Sequence, residues 1–388
     1  MKTYRMCTKT VMDTTDPDIV FDEVGICNYV HHFESKIKPV LEPNPNKQIA
    51  LQNLLKEIKQ AGKNHEYDCI VGLSGGVDSS YLIYYLKDVA GLRPLAVHLD
   101  GGWNSELAVK NIENLVSQLK VDLYTHVINW EEMKDLQVAF LKSGVPNQDV
   151  PQDHAIISIL YKIARQKKIQ YIISGHNLAT ESILPKAWGH DAMDLVHLQS
   201  IHKTFGKLKK LKTYPTLSFF EYYFVSRFIH KIQSIRFLNL IDYNKKEAMK
   251  LLEDKFNWRY YGGKHYESRF TKFFQSYLLP TRFGFDKRKA HLSSLIVSGQ
   301  ITRDEALTEL AKPLYDTNEL AEDKEYVAKK LGLSSKEMTE IIHLPLKTHV
   351  DYPSNEKVYN FVRKIYFLFK SFKTKANKEK KIEYILRF

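Results

Sequence analysis

The residues best suited to chemistry lie in 70-IVGLSGGVDSSYLIYYL-86, where an apolar run breaks into Ser-Gly-Gly-Val-Asp-Ser-Ser and then resumes with helical spacing. Adjacent glycines weaken a strand or helix interior, so Gly75 and Gly76 mark a sharp turn or a close approach to a ligand. Small hydroxyl residues flank them, and Asp78 stands where a helix would begin. Such a turn aims several backbone N–H groups at one point, which makes it an anion site. The lysine of a GxxxxGK[ST] loop, which reaches the β- and γ-phosphates, is absent. Three further stretches carry the same kinds of residue: 98-HLDGGWNS-105, 174-SGHNLATES-182 and 262-GGKHYESR-269.

These stretches need a frame, and the pattern between residues 46 and 200 supplies one. Apolar strands are expected at 68–74, 94–100, 121–128 and 169–175. Helical segments are expected at 49–61, from Asp78, at 105–119 and from Pro151 to about 167. Strands alternating with helices imply β-α-β units and a parallel sheet covered on both faces. Ligands of such sheets sit beyond the carboxyl ends of the strands. Three of the four strand ends carry the polar, glycine-containing stretches, and their convergence on one rim says more than any one of them. The fold class expected is therefore α/β. Residues 1–45 read as an N-terminal arm or small ribbon, 46–200 as the nucleotide-binding domain, and 201–388 as a mostly helical, basic and aromatic region for substrate and partner binding.

Composition bounds the setting. At 388 residues two domains are natural, and 44% hydrophobic residues is an ordinary globular figure. No apolar run of about 18 residues suggests a membrane span; the nearest, 216-TLSFFEYYFVSRFIHKI-232, is broken by charges and reads as a buried or groove-lining helix. The first residues lack the apolar stretch of a secretory signal, and Cys7, Cys27 and Cys69 are too far apart for a disulfide framework. A cytoplasmic location is expected. The net charge of +12 gathers in 203-KTFGKLKKLK-212 and 370-KSFKTKANKEKK-381. Polyanionic small molecules account for such charge as well as nucleic acid does, and no nucleic-acid partner is expected.

The loop resembles the PP-loop, the pyrophosphate loop of ATP pyrophosphatases of the adenine nucleotide alpha-hydrolase-like fold. That resemblance implies that Leu73, Ser74, Gly75, Gly76, Asp78, Ser79 and Ser80 bind ATP, with the β- and γ-phosphates leaving as pyrophosphate. Asp78 and Ser74 are then catalytic, and Asp78 helps hold Mg²⁺. His98 and Asp100 resemble the segment facing adenine. Ser174, Gly175, His176 and Thr180 form a second phosphate-facing turn, and Glu181 is a candidate catalytic residue and second magnesium ligand, weighed evenly against a capping role. Gln152, Asp153 and His154 read as the cap of a helix. Cys69 lies within the first strand, which disfavours sulfur transfer and leaves nitrogen transfer ahead.

Beyond the loop, 11-VMDTTDPDIVFDEVGIC-27, 98-HLDGGWNSELAVKNIENL-115, 144-GVPNQDVPQDHA-155, 261-YGGKHYESRFTKFFQSYLLP-280 and 284-GFDKRKAHLSSLIVSGQ-300 resemble the N-acetyl sugar amidotransferase family of bacterial surface-polysaccharide synthesis. The likeness spans nearly the whole chain and is weakest after about residue 310. It implies conversion of an acetamido group on a nucleotide-activated sugar, a UDP-2,3-diacetamido-2,3-dideoxy uronic acid of O-antigen synthesis, into an acetamidino group through an adenylylated intermediate. It also implies ammonia from a glutaminase and cyclase pair similar to the subunits of imidazole glycerol phosphate synthase. The chain itself places no cysteine to attack glutamine. The competing reading is a tRNA-modifying adenylylating enzyme. Many relatives of the sugar family begin with two CxxC pairs, whereas here Thr10 and Val30 stand at the second position of each, so zinc is not expected. Lys264, His265, Arg269 and Arg288, with Glu267, Lys287 and His291 nearby, are candidates to meet the diphosphate and carboxylate of the sugar nucleotide.

Overall fold

A computed structural model describes residues 3–362 and 364; the lysine cluster 370–381 lies outside them. Five parallel strands form one sheet: β1 Cys69–Gly72, β2 Pro94–Asp100, β3 Leu123–Val127, β4 Tyr171–Ser174 and β5 Gln233–Arg236. Their order is β3-β2-β1-β4-β5. The first four fall where the sequence places them. The fifth comes from beyond residue 200, so the sheet draws on the region read as helical; its four residues, with Ile235 the one buried, are too short and polar to signal a strand. Strand order reverses between β1 and β4, both of which pair directly. The loops that follow them therefore leave in opposite directions and open a crevice at the carboxyl ends.

Seven helices cover the sheet: α1 Pro45–Gly62, α2 Val77–Tyr84, α3 Glu106–Leu119, α4 Trp130–Ser143, α5 Val150–Lys167, α6 Leu195–Phe205 and α7 Lys245–Phe256. Cores on the two sides show the arrangement. Val71, Ala96 and Ile173 pack with α1, α2, α3 and α7 on one face, while Ile70, Val97 and Ile172 pack with α4, α5 and α6 on the other. Each such valine or isoleucine side chain contributes roughly 1.5–3 kcal/mol by burial. Caps fix the helix starts: Ser105 accepts from the Ala108 N–H and Asn129 from the Glu132 N–H. No helix of the described residues is long and apolar enough to cross a membrane.

The C-terminal half adds α8 Arg269–Phe273, α9 Lys287–Val297, α10 Arg303–Ala311, α11 Thr317–Lys330 and α12 Ser335–Ile342. Phe270, Phe273 and Phe274 bury against Trp103 and against Leu141 of α4, which fastens this bundle over the β2 loop. The arm is tied to the same half. Arg303 donates to the carbonyls of Thr10 and Cys7 at 3.1 and 3.3 Å, and the Val11 N–H donates to Ser293 at 3.2 Å. Cys7, Met12, Cys27 and Val30 pack against Trp188 and Ala290. Thr10, fully buried, stands 3.8 Å from the Cys27 sulfur. The thiol–thiol hydrogen bond pulls Cys7 down and pushes Cys27 up. Among the described residues no three His, Cys, Asp or Glu side chains form a metal-holding group.

Candidate active site

The turn after β1 is built by glycine geometry. Gly75 has φ +84°, and a Cβ there would stand 2.8 Å from the Ala108 carbonyl oxygen of α3. Only glycine fits both the left-handed backbone and the close approach. The Trp258 indole N–H donates to the Gly75 carbonyl at 2.9 Å and locks the turn from behind. The Ser74 hydroxyl accepts the Gly76 N–H at 3.2 Å, and the Ser79 hydroxyl accepts the Ser74 N–H at 3.3 Å. The first-turn N–H groups of α2 lack intrahelical partners, and Gly76 through Ser79 line the crevice. Such an arrangement is suited to cradle an anion.

Asp78 is oriented by a residue 165 positions away: the Tyr243 hydroxyl donates to its Oδ1 in a short hydrogen bond. Across the crevice, Gly175 lies so close to α2 that a Cβ would meet the Ser79 nitrogen at 3.2 Å. Glu181 lies between two cations, with His176 Nδ1 at 2.9 Å and Lys264 Nζ at 2.7 Å. Burial works to raise its carboxyl, yet Lys264 and His176 hold it well below the usual range. Glu181 in turn draws the His176 imidazole up. No capping box forms here, because Asn177 caps this turn by accepting from the Thr180 N–H at 2.9 Å.

The segment beyond residue 240 closes the site from above. Tyr261 stands over Gly76, its hydroxyl 3.0 Å from where a Cβ would be. Lys245 and Lys287 line the cleft, and burial lowers both ammonium groups, with Asp149 and Asp153 opposing the shift at Lys287. His265 sits at φ +64° and lies 3.7 Å from Glu267. Both ring nitrogens of His291 are buried without a partner among the described residues, and burial with Lys264, His265 and Lys287 nearby holds the ring well below its ordinary pKa.

Several residues singled out by type are placed elsewhere. Ser80 is fully buried, one helical step round from Ser79, and Thr180 is 2% exposed; neither lines the cleft. Asp100 turns back on its own loop, accepting from the Gly102 N–H at 2.9 Å and from Asn104 at 3.2 Å. Arg269 pairs with Asp323 and lies over the Tyr326 ring at 3.9 Å. Arg288 pairs with Asp286 and donates to the carbonyls of Glu309 and Lys312, closing the end of α10. Asp153 does not cap α5 but faces the cleft; its side chain is open to solvent there, and the enclosing cleft walls together with Asp149 push its carboxyl up to about 7. His154 is wholly buried, its Nδ1 on the Ala192 carbonyl at 2.7 Å. His98 reaches the cleft, but its ring is fixed by the Leu73 carbonyl at 2.8 Å and by Asn104 at 2.9 Å. The sequence reading missed Tyr243, Lys245, Trp258, Asp149 and Asn104; of the site aromatics only Tyr261, adjoining the Gly-Gly pair, carried a local signal.

Comparison with known proteins follows these two halves. Residues 50–216 match the family model of NAD synthase, and residues 267–366 match the model described as LPS biosynthesis protein WbpG-like, C-terminal domain. The chain pairs a PP-loop domain with a WbpG-like C-terminal domain. The chain is 28% identical over 171 residues to the uncharacterized protein MJ1599 of Methanocaldococcus jannaschii, covering 44% of this chain and 56% of that one. It is 30% identical over 124 residues to the tRNA-specific 2-thiouridylase MnmA of Clostridioides difficile, covering 28% and 34% respectively. The chain thus spans about half and a third of the lengths of these relatives. Among solved structures, NMN synthetase from Francisella tularensis shares 17% identity over 57% of this chain and 95% of its own, with a TM-score of 0.27. The U34-tRNA thiolase NcsA from Methanococcus maripaludis, solved with its [4Fe-4S] cluster, shares 14% over 70% and 87%, with a TM-score of 0.31. Scores of that size leave the two family models to carry the assignment.

Magnesium fits this PP-loop site through Asp78 alone. Its Oδ1 is held by Tyr243 while the residue lines the cleft, and magnesium commonly binds through one or two carboxylates together with substrate phosphates. Both oxygens of Glu181 are engaged by His176 and Lys264, so Glu181 serves to hold Lys264 in place.

Proposed function

We propose that the chain is an ATP-dependent, AMP- and pyrophosphate-forming amidotransferase that converts an acetamido group of a nucleotide-activated sugar into an acetamidino group. The observation that carries the reading is the conjunction at one crevice: a lysine-free Ser-Gly-Gly loop opening α2 shares its cleft with Lys245 and Lys264, which precede the WbpG-like residues 267–366, and with Lys287 within them. The cradle of Ser74, Gly76 and Ser79 suits the β- and γ-phosphates as a leaving pyrophosphate. Magnesium, bound with the nucleotide at Asp78, would offset the triphosphate charge. Lys264, held by Glu181, supplies fixed positive charge where charge develops on the phosphates. The amide oxygen of the sugar attacks the α-phosphorus and pyrophosphate departs. Ammonia then adds to the activated carbon and AMP leaves with the former amide oxygen. Tyr261 over the cradle limits water access, which would otherwise hydrolyse the adenylate.

The likeness to a thiouridylase favours tRNA thiolation as the second reading. Against it, Cys7, Cys27 and Cys69 are fully buried and none lines the cleft, whereas the reacting form of a cysteine must be an accessible thiolate; burial raises the Cys69 thiol. For the nitrogen we propose a separate glutaminase with a cyclase-like carrier, similar to the subunits of imidazole glycerol phosphate synthase, and a bacterial cytoplasmic setting in O-antigen synthesis. The test is turnover of a UDP-linked diacetamido uronic acid by the purified chain with ATP. Ammonium should support formation of AMP, pyrophosphate and an amidine, and glutamine should not until the partner pair is added. Formation of ADP and phosphate, or full-rate use of glutamine by the chain alone, would overturn the reading.

A further inference from the structure

The anion cradle occupies one end of a cleft of about 1910 Å³, while single-ligand pockets run to roughly 300–1,000 Å³. There is room for two ligands. The far end, beside β5, carries Arg227, Lys231 and Arg236 on its wall. Glu221 is taken by Arg165 at 3.6 Å, and among the described residues none of these three cations has an ion-pair partner. Asp191 and Glu356 also line this end, which leaves it net positive. Arg236 closes β5 opposite Ser174 of β4 and acts electrostatically on both His176 and Tyr222. The same wall carries aromatic faces: Tyr222 and Tyr223, with ring centroids 4.8 Å apart, and Phe228, 68% exposed.

We propose that this end is a second anion chamber, which holds the diphosphate of a nucleotide-linked substrate on Arg236, Arg227 and Lys231 with its base or sugar against Phe228 and Tyr222. The proposal rests on the ATP reading for the first end and names where the other substrate lies. Arg269 and Arg288, consumed by Asp323 and Asp286, are thereby replaced as candidates. Spacing supports the pairing of the two ends. Arg236 is two strands from the loop after β1, about 10 Å at the usual inter-strand distance, so a ligand anchored there can extend its reacting group to the α-phosphate. Planar guanidinium groups match phosphate oxygens in a bidentate way, and an exposed aromatic face such as that of Phe228 favours a flat ring. The cations lie on the concave wall of a crevice, which suits a small ligand better than a polynucleotide.

The experiment is calorimetric titration of UDP into the full chain saturated with magnesium and α,β-methylene-ATP. UDP should bind the analogue-loaded chain. Arg236→Ala should weaken it at least about tenfold, the loss of one charge-assisted contact, with analogue affinity within about twofold of the parent. The exposed pair Arg227→Ala and Lys231→Ala should act in the same direction without risk to folding. The proposal is overturned if UDP displaces the analogue, if UDP does not bind, if the substitutions leave UDP affinity unchanged, or if tRNA rather than UDP is the ligand lost with Arg236. Failure of the parent chain to bind the analogue would refute the ATP reading instead, and the effect of Arg236→Ala on UDP would still be scored.

Discussion

Replacing Gly75 and Gly76 one at a time by alanine separates what the loop does for the fold from what it does for the ligand. Gly75 sits at φ +84°, and an added Cβ would meet the Ala108 carbonyl oxygen at 2.8 Å and Ile112 Cγ1 at 3.3 Å. The left-handed backbone alone costs an L-residue about 1–2 kcal/mol. The clash is with helix backbone, so the loop itself must move and strain or break the 2.9 Å bond from Trp258 to the Gly75 carbonyl; a buried carbonyl left unpaired costs about 1–3 kcal/mol. Gly75→Ala should therefore lose roughly 2–5 kcal/mol of stability. Gly76 has φ −71°, and beyond an ordinary contact with Glu267 Oε1 at 3.5 Å its added Cβ would closely meet the Tyr261 hydroxyl at 3.0 Å and the Ser74 hydroxyl at 3.1 Å. Both are tips of movable side chains. Gly76→Ala should cost less than about 1 kcal/mol of stability yet weaken ATP-analogue binding, because the methyl group fills the cradle. Urea unfolding followed by tryptophan fluorescence, with calorimetry for the analogue, measures both. Stability of Gly75→Ala within about 0.5 kcal/mol of the parent, or a greater stability loss in Gly76→Ala than in Gly75→Ala, would refute this account of the loop.

Arg288→Ala should lower stability by about 1–3 kcal/mol, through loss of charged donors to the α10 carbonyls, and leave analogue and UDP binding unchanged; impaired binding with intact stability would return Arg288 to the site. Asp153 gives a pH signature. Its folded carboxyl titrates at about 7 against an ordinary 3.8, so between those values the folded chain holds a proton the unfolded chain does not. The stability this contributes is complete below about pH 4 and is lost as pH rises to about 7. Asp153→Asn should flatten the fall in urea stability across that window, and an unchanged slope would contradict the shifted carboxyl.

What the sequence made legible was local. A glycine pair behind an apolar run located β1, the loop and α2, and the strand ends at 98 and 174 were found for the same reason. Ser80 was misjudged although helical geometry separates it from Ser79 by about 100°, which allows one of the two to face the crevice. Residue type alone misled for Arg269 and Arg288, because Asp323 and Asp286 claim them first. Tyr243 and Trp258 were invisible for a different reason. Their partners, Asp78 and Gly75, lie 165 and 183 positions away, and no short-range pattern encodes such a pairing. β5 failed through brevity, its edge position giving it one buried apolar residue in four. α4, by contrast, carries Met133, Leu136 and Phe140 at helical spacing and was open to detection.

The central claim is adenylylation of an amide oxygen, and the fate of that oxygen tests it most directly. A heavy-oxygen label placed in the acetamido carbonyl of the sugar nucleotide should appear in AMP, one label per turnover, with pyrophosphate as the other product. Label remaining in the sugar product, or appearing in inorganic phosphate alongside ADP, would contradict the account.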